Sequence, residues 1–342
     1  ILDFLPHIDN LHKTQKKDNF FDKICLESVF QQLEKDGLRL VLLIDEFDQI
    51  LEEPGLHRAE FYGTLRDLAQ RFSSLCLIIA SRQSVAKLNQ RTKEFTHGSP
   101  YFNFVSENIL GVFYPDAILE VLNIAQEKFS KLDISFLHHI SGGHPYFLQV
   151  AAHFLWETYE NEIQDLARRF TMVSNELLNH AIPVMKEIWS AWSPYEKMAF
   201  TLIALNEMPR LLPERRFDLK HLFENLHFLT PELRNLRDRG FLREDDSMRF
   251  GYALQAEVMI WFLADELTQM LRPDNPDFTA WLQEQEWEGI LKHGQIRAIK
   301  NILFSLEPIL KEGSKGLIKI ITESTIKGAA SGMVKLVGSG GL

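Results

Sequence analysis

Two adjacent carboxylates, Asp45 and Glu46, close the run Leu40-Val41-Leu42-Leu43-Ile44. An apolar run this short, with acid directly after it, suits a buried parallel strand whose C-terminal tip meets a ligand. In open α/β sheets that tip is where ligands bind. Two acids there suit phosphoryl transfer. Asp45 can hold Mg²⁺ through water, and Glu46 can polarise the water that attacks a γ-phosphate. This is the Walker B pattern. The same letters also suit a buried strand that runs into an acidic helix N-cap, which the helix dipole favours.

A second apolar run, Ser74 to Ala80, ends in Ser81-Arg82. Between the two runs, Glu60 to Phe72 carries apolar or small residues at helical spacing, at Phe61, Leu65, Leu68 and Phe72. Strand, crossover helix and strand predict a right-handed βαβ unit and a parallel sheet. Arg82 then stands at a strand tip beside Asp45 and Glu46, where a cation can hydrogen-bond a γ-phosphate and report its loss. A surface arginine that merely starts a helix is the plainer alternative.

Gly142-Gly143-His144-Pro145 precedes the apolar stretch Tyr146 to Trp156. Two glycines allow close backbone approach, and Pro145 offers a rigid apolar surface in a first helical turn, where it costs no hydrogen bond. Such a corner can press on a flat base; it is equally a Gly-Gly break followed by a proline cap. His138, His139, His144 and His153 lie close in sequence, but no Cys accompanies them and no His-Glu-x-x-His spacing occurs, so metal binding is not expected.

No Gly-x-x-x-x-Gly-Lys-Ser/Thr loop, the usual phosphate cradle, occurs in the 342 residues. The chain begins at Ile1, and the simplest expectation is that this loop lies upstream; a degenerate fold without the loop is the other. The net charge of −10 argues against a global basic field for nucleic acid. The two cysteines, Cys25 and Cys76, are expected as buried free thiols in a reducing, cytoplasmic setting. No apolar run approaches the about 18 residues that a membrane span needs.

The elements that must position these residues follow from periodicity. Asn19 to Lys35 predicts a helix closed by Gly37, and residues 99–113 a loop and a short final strand. Pro115 to Glu160 is helical with a break at 141–145. After Ile182-Pro183, helices are expected over Lys186 to Leu205, Leu219 to Leu226 and Thr230 to Arg239. Two short strands, Phe241 to Arg243 and Met248 to Tyr252, then flank an acidic turn, and Ala253 to Met270 is helical. That order describes a winged helix. Arg234, Arg237 and Arg239 lie on its expected recognition helix. Residues 186–270, however, carry 11 basic against 14 acidic side chains, so protein contact is the better expectation than DNA. Pro273, Asn275 and Pro276 make a linker to a helical, Gly-dotted tail. In that tail Lys311, Lys315, Lys319, Lys327 and Lys335 share one row, and residues 311–337 suit an anionic membrane surface, a partner helix or a solvated tail.

Taken in order, Asp45-Glu46-Phe47-Asp48, Ala80-Ser81-Arg82, Ser99-Pro100-Tyr101-Phe102-Asn103-Phe104 and Gly142-Gly143-His144-Pro145-Tyr146-Phe147-Leu148-Gln149 precede a winged helix. This resembles the STAND class of AAA-related P-loop ATPases, in particular the bacterial AAA-like STAND proteins, over roughly residues 20 to 270. The resemblance implies an α/β fold with a parallel-sheet P-loop NTPase core over 1–114. A helical lid over 115–183, a winged helix over 184–271 and a linker and amphipathic tail over 272–342 complete it. It implies Asp45 for Mg²⁺ through water, Glu46 for water activation and Arg82 as the sensor arginine. Asp48, Ser81, Gly143, His144 and Pro145 are the other expected nucleotide contacts, with Gly143 and Pro145 near adenine. The implied activity is a signal-transduction switch that ADP locks and ATP drives to self-associate, with further protein partners. A DNA-loading AAA-type ATPase and a non-hydrolysing scaffold are the alternatives.

Overall fold

The computed structural model describes residues 23–56, 59–93, 100–125, 128–207, 226–248, 250–270, 278–287 and 289–310, with 316, 318, 319, 322 and 323. The expected helix over Leu219 to Leu226, the Pro273 to Pro276 linker and almost all of the 311–337 segment lie outside them. The chain is mixed helical with a small parallel sheet, compatible with an α/β fold. It divides into two compact units, Ile1–Asn108 and Ile109–Leu342. Among the described residues no helix is long and apolar enough to cross a membrane.

In the first unit, α1 (Lys23–Lys35) leads to β1 (Leu40–Ile44), a single helical turn α2 (Phe47–Ile50), α3 (Ala59–Arg71), β2 (Leu75–Ile79) and α4 (Val85–Thr92). Gly37, at φ 64°, closes α1 in the left-handed conformation that helix ends favour. The strands pair in parallel with Leu40 opposite Leu75 and Ile44 opposite Ile79, which is the expected βαβ unit. No strand follows among residues 100–113.

Both flanking helices cover the same sheet face. Phe30 and Leu33 of α1 and Leu68 and Phe72 near α3 pack with Leu42, Leu75 and Leu77. A second cluster of Phe47, Leu51, Tyr62, Leu88 and Phe102 takes Ile44 and Ile79. The side chains of the alternate positions face the other way, because the strand period is two. There Val41 is 47% exposed, Leu43 74% and Ile78 52%. Among the described residues the strands are covered on one face, where the run of apolar residues predicted burial on both. Cys25 and Cys76 are free but half-buried, not fully enclosed as expected.

The second unit begins with α5 (Pro115–Asn123), α6 (Lys131–Ser141) and α7 (Pro145–Glu160). A capping box between Ser130 and Asp133 starts α6, and Gly142, at φ 59°, ends it. The long α8 (Leu166–Ala191) is capped by Asp165, whose side chain accepts from Arg168 N, and runs unbroken through Pro183. Then come α9 (Pro194–Glu207), α10 (Thr230–Asp238), the antiparallel ribbon β3 (Leu242–Glu244) and β4 (Tyr252–Leu254), α11 (Glu257–Met270), α12 (Phe278–Glu284) and α13 (His293–Leu310).

One continuous core joins these elements. Phe136, Phe147 and Phe170 from the first three long helices share it with Met185, Phe200, Trp261 and Phe262. Phe136 stacks on Phe170 at 3.7 Å between centroids. The chain changes character after Ile182-Pro183 in sequence, but Ala181 and Met185 are both fully buried on either side of that proline. The helix continues because its apolar stripe is buried on both sides of Pro183, and burial of such residues contributes about 1.5–3 kcal/mol each. The strand Tyr252–Leu254 claims residues that helical periodicity assigned to the following helix.

Candidate functional site

The two parallel strands deliver their C-terminal ends side by side. Ala80 N donates to Ile44 O at 2.8 Å and Phe47 N to Ala80 O at 3.0 Å, so the pairing extends past the last strand residues into both tips. Asp45-Glu46 and Ser81-Arg82 therefore leave the sheet from adjacent positions at one end. Phe47 anchors this end: it is fully buried, with its ring edge-on to Phe102 at 5.4 Å and Tyr62 at 6.3 Å. Burial pushes the Tyr62 hydroxyl pKa up to about 12, against an opposing pull from the Arg91 guanidinium.

Asp45 and Glu46 are both exposed. Asp45 Oδ1 accepts the Glu46 N–H at 2.8 Å, which holds that carboxylate at the strand tip. Glu46 adopts φ 49°, ψ 40°, a left-handed conformation unusual for a residue with a Cβ. Such a conformation costs of order 1–3 kcal/mol and concentrates at functional sites. Its side chain makes no capping bond to α2, and only its carbonyl serves that turn, accepting Gln49 N at 2.9 Å.

Asp48 lies inside. It is only 5% exposed, and its carboxylate gathers the second strand's tip. Asp48 Oδ1 accepts from Ser81 Oγ at 3.3 Å and from Arg82 N at 3.2 Å. Asp48 Oδ2 takes Arg82 Nε at 3.3 Å. Ser81 Oγ in turn accepts Gln83 N at 3.0 Å. Beyond it, Ser84 caps α4, and the Glu107 carboxylate accepts Val85 N at 2.9 Å at the start of that helix. Asp48 and Ser81, both expected among nucleotide contacts, bond to each other here; Asp48 also takes Arg82, and Ser81 also accepts Gln83 N.

Gly143, His144 and Pro145 belong to the second unit. The φ of Gly142 is 59° and that of Gly143 is 75°. A Cβ on Gly142 would lie 2.3 Å from the carbonyl oxygen of Gln255, and one on Gly143 would lie 3.2 Å from that of Phe113. Gln255 Nε2 donates to Gly142 O at 2.7 Å, and Phe113 N to Gly143 O at 2.9 Å. Close approach by the chain's own backbone thus explains both glycines. Pro145 opens α7 at its first turn. The His144 ring lies tilted on Phe147 at 4.4 Å, and burial pulls its pKa down to about 4. Its Nδ1 is buried without a hydrogen-bond partner among the described residues.

Arg237 of α10 and Arg239 just after it are engaged with acids. Arg237 reaches Asp238 Oδ1 at 2.6 Å and also pairs with Glu244. Arg239 pairs with the buried Glu196 at 3.2 Å. Among the described residues no group of three or more His, Cys, Asp or Glu side chains is placed to hold a metal ion.

Sequence reasoning missed Gln255 and Glu107. Nothing in the local pattern marks Gln255, because its partner Gly142 lies more than a hundred residues away. Comparison with family models, with curated proteins and with solved structures finds no match for the chain.

Proposed function

We propose that the chain is the nucleotide-handling part of an ATP-driven signal-transduction switch of the STAND type. In this reading the first unit is part of a P-loop NTPase core, helices α5 to α8 form a lid, and α9 to α11 with the β3–β4 ribbon form a winged helix. The observation that carries the reading is the shared end of two parallel strands, where Asp45-Glu46 and Ser81-Arg82 emerge side by side. Acid and cation at one sheet end suit a magnesium-bound phosphate chain. Both acids are exposed, which fits a hydrated cation and an attacking water.

Asp45 would hold a hydrated Mg²⁺, which would supply neutralisation of negative charge on a phosphate chain. Glu46 orients the attacking water and receives its proton. Arg82 hydrogen-bonds the γ-phosphate, so its loss on hydrolysis changes what the guanidinium contacts. ATP then favours self-association and ADP the closed, resting form, with protein partners completing the signal. The DNA-loading alternative draws no support from α10, whose Arg237 is neutralised by Asp238 and Glu244.

The test uses the intact protein. Glu46→Gln should retain Mg²⁺-dependent ATP binding by calorimetry while turnover falls by roughly 10²–10⁴-fold, the usual worth of a general base. Asp45→Ala should instead weaken the Mg²⁺-dependent binding itself. Wild-type turnover in Glu46→Gln, or no ATP binding by the unmodified protein, would refute the proposal.

A further inference from the structure

We infer that Asp48 is a positioning residue for the proposed phosphate chemistry: it orients Arg82, and contacts no nucleotide itself. The inference rests on the nucleotide reading above and assigns a role to a residue that reading leaves unexplained.

Asp48 is 5% exposed, and a buried carboxylate is costly unless its oxygens are hydrogen-bonded. Here both oxygens are used, and every described donor to them comes from two consecutive residues at the tip of β2. Oδ1 takes the Ser81 hydroxyl and the Arg82 backbone N–H, which fixes the path of the main chain out of the strand. Oδ2 takes Arg82 Nε, which fixes the plane of the guanidinium. Main chain and side chain of one arginine are thus set by one acid.

Asp48 can do this because of where it sits. The left-handed turn at Glu46 sends the chain from the tip of β1 into α2, and Asp48 is the second residue of that single turn. Phe47, fully buried beside it, locks the turn against Phe102 and Tyr62. The tips of β1 and β2 are therefore coupled twice: through the Phe47 N to Ala80 O bond and through Asp48. The two tips are thus joined by contacts among residues only a few positions from Asp45 and Glu46.

Arg82 itself is 39% exposed on its side chain, so it can meet a ligand while Asp48 stays inside. The three contacts lie at 3.2–3.3 Å, the long end of the hydrogen-bond range. Orientation of this kind acts on the reacting complex more than on binding, because misplacement by about 1 Å can cost roughly 10²-fold in rate.

The experiment measures ATP turnover and ATP binding on the intact protein with Asp48→Asn, Arg82→Ala, Arg82→Lys and the double variant Asp48→Asn with Arg82→Ala. We expect Asp48→Asn and Arg82→Ala each to lower kcat by roughly 10²-fold with KM for ATP unchanged. The double variant should be no slower than the worse single variant, since both changes remove one function. Arg82→Lys, which keeps the charge but has no Nε to be gripped, should behave like Arg82→Ala. Losses that multiply in the double variant would overturn the inference, as would an Arg82→Lys protein that turns over like wild type. Should Asp48→Asn not fold, an Arg82→Lys protein that turns over like wild type still overturns the inference, because that side chain is 39% exposed and the change leaves Asp48 intact. A wild-type protein that hydrolyses no ATP would refute the nucleotide reading and the inference with it, whereas a working wild type with multiplying losses would overturn the inference alone.

Discussion

Gly142 and Gly251 both stand in the left-handed region, at φ 59° and φ 70°, yet their surroundings differ completely. A Cβ on Gly142 would lie 2.3 Å from the Gln255 carbonyl oxygen, 2.6 Å from its carbon and 2.9 Å from Ala256 Cβ; one on Gly251 would meet nothing within 4 Å. Alanine at either position carries the left-handed penalty of about 1–2 kcal/mol. At Gly142 overpacking adds about 1–3 kcal/mol, because the nearest atoms are backbone and cannot rotate away. Losing the Gln255 Nε2 to Gly142 O bond adds about 1 kcal/mol. Gly142→Ala should therefore cost about 3–6 kcal/mol and Gly251→Ala only about 1–2 kcal/mol, against a total stability of about 5–15 kcal/mol for an ordinary domain. All six tryptophans lie in the second unit, so urea unfolding followed by tryptophan fluorescence reports that unit directly. Equal penalties at the two glycines would refute the claim that close approach of Gln255 adds to what the turn already demands at position 142.

Two further outcomes follow from the second unit. Burial holds the His144 pKa near 4, below the ordinary value of 6.5, so the unfolded chain takes up its proton first as pH falls. This contribution to stability is complete above pH 6.5 and is lost between pH 6.5 and about 4. Melting curves of His144→Gln across that window should show a shallower decline than wild type, and parallel curves would exclude the effect. Arg237 is already neutralised by Asp238 and Glu244, so Arg234→Ala with Arg237→Ala should leave duplex DNA affinity at its weak background. Fluorescence anisotropy showing a tight, salt-sensitive complex that needs these arginines would favour a DNA-loading function instead.

Local pattern in the sequence specified the elements that hold the site. Five apolar residues ending at Asp45, a helical stretch and a second apolar run ending at Ser81 fixed both strands and their parallel pairing, because strand period and βαβ handedness are short-range properties. The helix breaks at Gly142 and Pro145 were legible for the same reason. Tertiary structure decided what those elements face. Periodicity could not say that α1 and α3 cover the same side of the sheet, which leaves Val41, Leu43 and Ile78 exposed and Cys76 half-buried. Nor could it say that Pro183 sits within one helix whose two halves share a core. Gln255 reads locally as part of a helix, and only the return of the chain to Gly142 pulls it into a close backbone contact. Asp48 makes the same point at the candidate site. Its type suggests a ligand, but burial and three donors at the tip of β2 turn it inward, and that depends on contacts more than thirty residues away.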